Sequence, residues 1–118
     1  LRVQLLGDAL VTGVSVHSAD SCTTGEITIV DSQGVPDPES CFGHILVAGA
    51  ATDELLPLLR KARALIVEKA DTGGYAAAAA AMLDIPVLVE AAGATDILKN
   101  GTVVTLEIQK GVGTVKHC

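Results

Sequence analysis

The chain has 118 residues, 49% of them hydrophobic and 19% charged, with 12 glycines, one Tyr, one Phe and no Trp; this suits one compact domain and excludes disordered or fibrous classes. Eight Lys and Arg against fourteen Asp and Glu leave a net charge of −6, the wrong sign for tracking a phosphate backbone or an anionic membrane surface. The longest apolar runs, such as Ala76 to Leu83, are far shorter than the roughly 20 residues that cross a bilayer, so neither nucleic acid nor membrane is an expected partner.

Short apolar or β-branched runs at Val3 to Leu6 and Glu26 to Val30 are separated by Gly7-Asp8, Gly13 and Gly25, which predicts strands joined by tight turns. Asp31 to Gly43 gathers Asp, Ser, Gln, Gly, Glu and two prolines and reads as a loop or hinge. From His44 onward, apolar runs at Ile45 to Ala48, Ala64 to Val67 and Pro86 to Val89 alternate with helical stretches, the pattern of an α/β domain. A first helix is expected over Asp53 to Ala62, starting at 53 to 56 so that Pro57 falls in its first turn, with Arg60, Lys61 and Arg63 suiting its C-terminal end. A second, over Gly74 to Leu83, is nearly polyalanine, which combines the best helix former with a very close approach to a sheet. The last third places a strand at Val103 to Ile108 between turns at Asn100-Gly101 and Lys110-Gly111 and closes the domain with β structure. No repeat or low-complexity tract interrupts the chain beyond the alanine run, so residues 1–118 read as one unit. The start at Leu1 rather than Met is read as a piece of a longer or processed polypeptide.

Chemistry is most plausible at Asp71-Thr72-Gly73-Gly74-Tyr75, behind the strand Ala64 to Val67 and ahead of the alanine helix. A strand, a glycine turn and a helix start leave backbone N–H groups aimed at an anion, and glycine lets it approach; Thr72, Gly73, Gly74 and Tyr75 are therefore the candidate anion-binding turn. The plainer alternative is that Asp71 or Thr72 only caps the helix. No dinucleotide or P-loop motif and no nucleophile elbow occurs. Cys22, Cys41 and Cys118 form no C-x-x-C pair, and their odd number argues against a disulfide scaffold and for ordinary thiols in a reducing compartment; a Cys22 to Cys41 link is left open. His17, His44 and His117 are scattered and read as structural or solvated. Glu68, Asp71, Asp84, Glu90 and Asp96 show no metal-ligand spacing and are expected to cap helices and keep the domain soluble.

The order Ile45-Leu46-Val47-Ala48, Lys61 to Glu68, a small-residue turn, an alanine helix, Asp84-Ile85-Pro86-Val87-Leu88-Val89, Ala94-Thr95, Leu98-Lys99-Asn100-Gly101 and Val103-Val104-Thr105-Leu106 resembles the mobile phosphohistidine domain of phosphoenolpyruvate-utilising enzymes over roughly residues 44 to 115. Upstream, Val3 to Leu10, Gly13 and the Gly25 to Val30 strand are similar to the start of the extra C-terminal domain of certain bacterial pyruvate kinases. The resemblance implies a swivelling β/β/α fold, with a helix-flanked sheet from 44 to 90 and the N- and C-terminal strands as a second β layer. It also implies a turn reading Thr-Ser-His-Ala-Ala whose histidine carries a phosphoryl group. Counting back from Ile85-Pro86 without gaps puts Gly73, Gly74 and Tyr75 at the Thr, Ser and His positions. A phenol ionises near pH 10, against about 6.5 for imidazole, and a phenyl phosphate ester is far less reactive than a phosphorus–nitrogen bond, so Tyr75 is a poor relay.

The resemblance thus points to a non-catalytic structural, subunit-contacting or regulatory domain with no catalytic residue or metal ligand of its own. Its parent would be a cytoplasmic, tetrameric pyruvate kinase whose magnesium and potassium ions serve an upstream barrel domain, and its partner the remainder of that chain. Two alternatives stand beside this: a swivelling phosphoryl carrier of the phosphoenolpyruvate synthase or dikinase kind, which needs histidine at position 75, and a stand-alone module binding a phosphorylated effector at Gly73 to Tyr75.

Overall fold

The structure, a computed structural model, describes residues 10–16, 20–30, 43–50, 55–70 and 74–117. Among them, seven strands and three helices follow one another: β1 (Val11–Ser15), β2 (Ser21–Ile29), β3 (Ile45–Ala48), α1 (Leu56–Leu59), β4 (Ala64–Val67), α2 (Tyr75–Leu83), β5 (Val87–Val89), α3 (Ala94–Ile97), β6 (Val103–Gln109) and β7 (Val112–His117). The strands join in the order β1-β5-β4-β3-β2-β6-β7 and the sheet closes on itself as a barrel. β3, β4 and β5 are parallel to one another and β3 is parallel to the end of β2, while every pairing of β1, β6 and β7 is antiparallel.

The α/β expectation holds for the middle of the chain, where strands alternate with helices. A separate second β layer does not form. β2 bridges the two halves, pairing with β6 over Ser21 to Glu26 and with β3 over Ile27 to Ile29, and β1 closes the other side between β7 and β5. One continuous closed sheet leaves no unpaired edge among the described strands.

Burial explains which strands the hydrophobic pattern marks most clearly. β3, β4 and β5 are buried along their whole length because both faces are covered. Leu46, Leu65, Val67, Val87 and Val89 face outward onto Leu55, Leu58 and Leu59 of the α1 segment and Ala76, Ala79 and Ala80 of α2. Ile45, Val47, Ala64, Ile66 and Leu88 face inward, meeting Val11, Ile27, Val104, Leu106, Ile108 and Val115 inside the barrel. β6 alternates between exposed and buried positions, as a strand with one solvated face does. Ala91, Ala94 and Leu98, around α3, complete the interior cluster.

Two glycines expected in turns lie inside strands. Gly13 is in β1 and pairs in register with Gly113 of β7. A Cβ on Gly13 would come within 2.5 Å of the Val89 carbonyl oxygen and 2.9 Å of Leu88 Cγ, and one on Gly113 would collide with Leu88 Cδ1, so the pair makes room for Leu88, which is fully buried. Gly25 is in β2, where a Cβ would meet the Gly43 carbonyl oxygen at 3.0 Å and Ile45 Cγ1 at 3.2 Å. Glycine here answers to close packing rather than to chain reversal.

The first helix, expected over 53 to 62, ends earlier than its expected span; residues 53 and 54 lie outside the described residues. It covers Leu56–Leu59 and then tightens, the Lys61 and Ala62 N–H groups bonding three residues back to the Leu58 and Leu59 carbonyls. The chain turns there because Gly43 donates to the Lys61 carbonyl and Arg63 to that of His44, which sets the start of β4 beside β3. Arg60, Lys61 and Arg63 therefore lie beyond the last helical turn. Pro57 sits in the first turn, as its missing N–H requires. The alanine helix and the strand at 64–67 fall where the sequence puts them, and β5 starts one residue after Pro86. The strand expected at Val3 to Leu6, the turn at Gly7-Asp8 and all of the Asp31 to Gly43 loop except Gly43 lie outside the described residues.

Candidate functional site

The three parallel strands β3, β4 and β5 all run to the same edge, and their carboxyl ends lead to Gly49, Glu68 and Glu90. Parallel strands, in open sheets and in barrels, place ligands outside this edge because the loops there converge from several strands. The edge is laced by backbone: Glu68 N–H donates to the Ala48 carbonyl, Lys69 to Gly49, Glu90 to Lys69 and Ala91 to Val67. The chain leaves β4 at this edge and enters α2 at Gly74-Tyr75.

Of the four candidate residues, Thr72 and Gly73 lie outside the described residues. Gly74 is the N-cap of α2 and adopts a left-handed conformation, φ 74° and ψ 7°, with no side-chain capping bond. A Cβ there would meet nothing within 4 Å, so backbone conformation rather than space favours glycine. Its carbonyl accepts the first helical hydrogen bond, from Ala78 N–H at 3.0 Å. Tyr75, the first residue of α2, is half-buried and its hydroxyl oxygen is withdrawn from solvent. Position 75 thus sits at the positive end of a nine-residue helix.

At the same strand edge, the Glu68 carboxylate ties the end of β4 to α3. Its Oε2 accepts the Thr95 backbone N–H at 3.1 Å and the Thr95 hydroxyl at 3.0 Å. α3 begins at Gly93, which is left-handed at φ 81° and has no side chain to cap with; Glu68 supplies from 27 residues away what a local Ser or Asp would. Both residues belong to the runs that carry the family resemblance, but their pairing left no mark in the sequence, because a single carboxylate and a single threonine at that spacing have no periodic signature.

The other acids take structural positions. Asp84 is the left-handed C-cap of α2 and its N–H donates to the Ala80 carbonyl, Asp96 is in the first turn of α3, and Glu90 turns the chain out of β5 at φ 57°; Asp71 lies outside the described residues. His44 Nδ1 and the Thr28 hydroxyl are hydrogen-bonded at 2.7 Å, which makes that histidine a link between β2 and the start of β3. His17 is outside the described residues, and His117 ends β7. Among the described residues, no three His, Cys, Asp or Glu side chains stand close enough to hold a metal ion, and no helix is long and apolar enough to cross a membrane. Cys22 is a free, exposed thiol on β2.

Residues 42–111 match the family model of the PEP-utilising enzyme mobile domain. The chain is 28% identical over 111 residues to a pyruvate kinase of Lactobacillus delbrueckii subsp. bulgaricus, a match covering 94% of this chain and 18% of that protein. A pyruvate kinase of Bacillus licheniformis is 29% identical over 94% of this chain and 19% of its own length. A probable phosphoenolpyruvate synthase of Archaeoglobus fulgidus is 33% identical over 59% of this chain and 9% of its own length. The chain therefore spans less than a fifth of the length of these relatives. Among solved structures, a UPF0107 protein superposes with a TM-score of 0.62 at 20% identity, covering 91% of this chain and 97% of that one. The NMR structure of an Enzyme I protein superposes with a TM-score of 0.53 at 18% identity, covering 63% of this chain and 31% of that one. These two likenesses concern the fold.

Proposed function

The chain belongs to the PEP-utilising enzyme mobile-domain family, and we propose that it is the extra C-terminal domain of a pyruvate kinase, kept as a structural, subunit-contacting or regulatory module and not as a phosphoryl carrier. The observation that carries this reading is Tyr75 at the start of α2, where the family resemblance expects the phosphoryl-bearing histidine. Its hydroxyl oxygen is withdrawn from solvent, and a phenol is protonated at neutral pH. The near-complete coverage of this chain by pyruvate kinases, of which it would form a small part, supports the parent. In that parent the phosphoryl group passes from phosphoenolpyruvate to ADP, giving pyruvate and ATP, in an upstream domain. The reading assigns magnesium and potassium ions to that domain, and a cytoplasmic, tetrameric state to the whole enzyme.

A second reading, a swivelling phosphoryl carrier, draws on the matches to probable phosphoenolpyruvate synthases and needs a histidine at the position where this chain carries Tyr75. The swivelling motion itself matters only to that reading.

Capture of the native polypeptide and its intact mass test the assignment first. A product roughly five times this length with pyruvate kinase activity is expected; a free product of about 118 residues overturns it. In the full-length enzyme, Tyr75→Phe should leave turnover unchanged, because the reading routes no phosphoryl group through that residue; abolished turnover refutes the non-catalytic role. Loss of the response to a phosphorylated metabolite with turnover intact would make the Gly73 to Tyr75 turn an effector site.

A further inference from the structure

We draw no further inference here: the strongest candidate, the uncharged outward face of α2 formed by Ala78, Ala81 and Met82, is an exposed apolar helix surface, and nothing in the structure shows what covers it.

Discussion

Replacing Gly113 with alanine tests whether the barrel seam closes around Leu88. A Cβ at position 113 would overlap Leu88 Cδ1 and come within 3.2 Å of Leu88 Cγ and Cδ2. Leu88 is fully buried and packed in the barrel interior, so it cannot swing aside without displacing its neighbours. Overpacking of this kind costs about 1–3 kcal/mol, reduced by the roughly 0.4–1 kcal/mol that alanine contributes by restricting the unfolded chain. A net loss of about 1–2 kcal/mol follows, which at this chain length lowers Tm by roughly 4 °C per kcal/mol. Urea denaturation of Gly113→Ala, Leu88→Ala and the double variant separates this from a general strand effect. Leu88→Ala alone should cost about 2–5 kcal/mol, and the double variant should be less destabilised than the sum by at least about 0.5 kcal/mol, because the shortened side chain makes room for the new methyl. Gly13→Ala should be rescued less by Leu88→Ala, since part of its conflict is with the Val89 backbone carbonyl at 2.5 Å. Additive losses at Gly113, or an unchanged midpoint for Gly113→Ala, would refute the packing argument.

Glu68→Ala removes the acceptor of both Thr95 donors and should cost about 1–2 kcal/mol, with faster hydrogen exchange at the Thr95 amide; an unchanged exchange rate would show that Glu68 does not cap α3. At Gly74, where φ is 74° and the space is open, alanine should destabilise by roughly 1–2 kcal/mol and asparagine by less, because asparagine tolerates the left-handed region. Equal urea midpoints for the two variants would remove the backbone explanation.

How far the fold can be read from the chain depends on which contacts are local. β3, β4 and α2 are legible because a strand buried on both faces leaves a continuous apolar run and an alanine run has few alternatives to helix. The turns at Asn100-Gly101 and Lys110-Gly111 also appear in place, Gly101 and Gly111 being left-handed at φ 85° and 82°. β1 is hidden because Gly13, read locally, signals a turn; its reason for being glycine lies at Leu88 and Val89, distant in sequence. Closure of the barrel is hidden for the same reason, since among the described residues β1 meets β5 over a short stretch, Val14 opposite Val89 and Ser15 opposite Leu88, with Val16 N–H bonding the Val87 carbonyl. α3 is four residues long, with no local capping side chain, and therefore carries no periodic or capping signal. At the site, the position of Tyr75 follows from strand, turn and helix order, whereas the Glu68–Thr95 link depends on three-dimensional proximity that no spacing encodes.

The same topology predicts that the family-matched segment is not a folding unit. Residues 42–111 contain β3, β4, β5 and β6, but β6 pairs only with β2 and β7, and both lie outside that segment. Cut out alone, it would hold a three-stranded parallel sheet with α1 and α2 on one face, only α3 against the other, and an unpaired fourth strand. Ile45, Val47, Ala64, Ile66 and Leu88 would lose Val11, Ile27 and Val115 from the barrel interior, leaving an apolar face that Ala91, Ala94 and Leu98 cover only in part, and parallel sheets occur almost only with both faces covered. β3 and β5 would become open edges, which invites association between chains. The expected outcome is that the 42–111 fragment binds a hydrophobic dye and unfolds without a sharp urea transition, whereas the 118-residue chain unfolds cooperatively. A cooperative transition in the isolated fragment, with a urea dependence scaled to its shorter length, would mean that the interior can close without β1, β2 and β7.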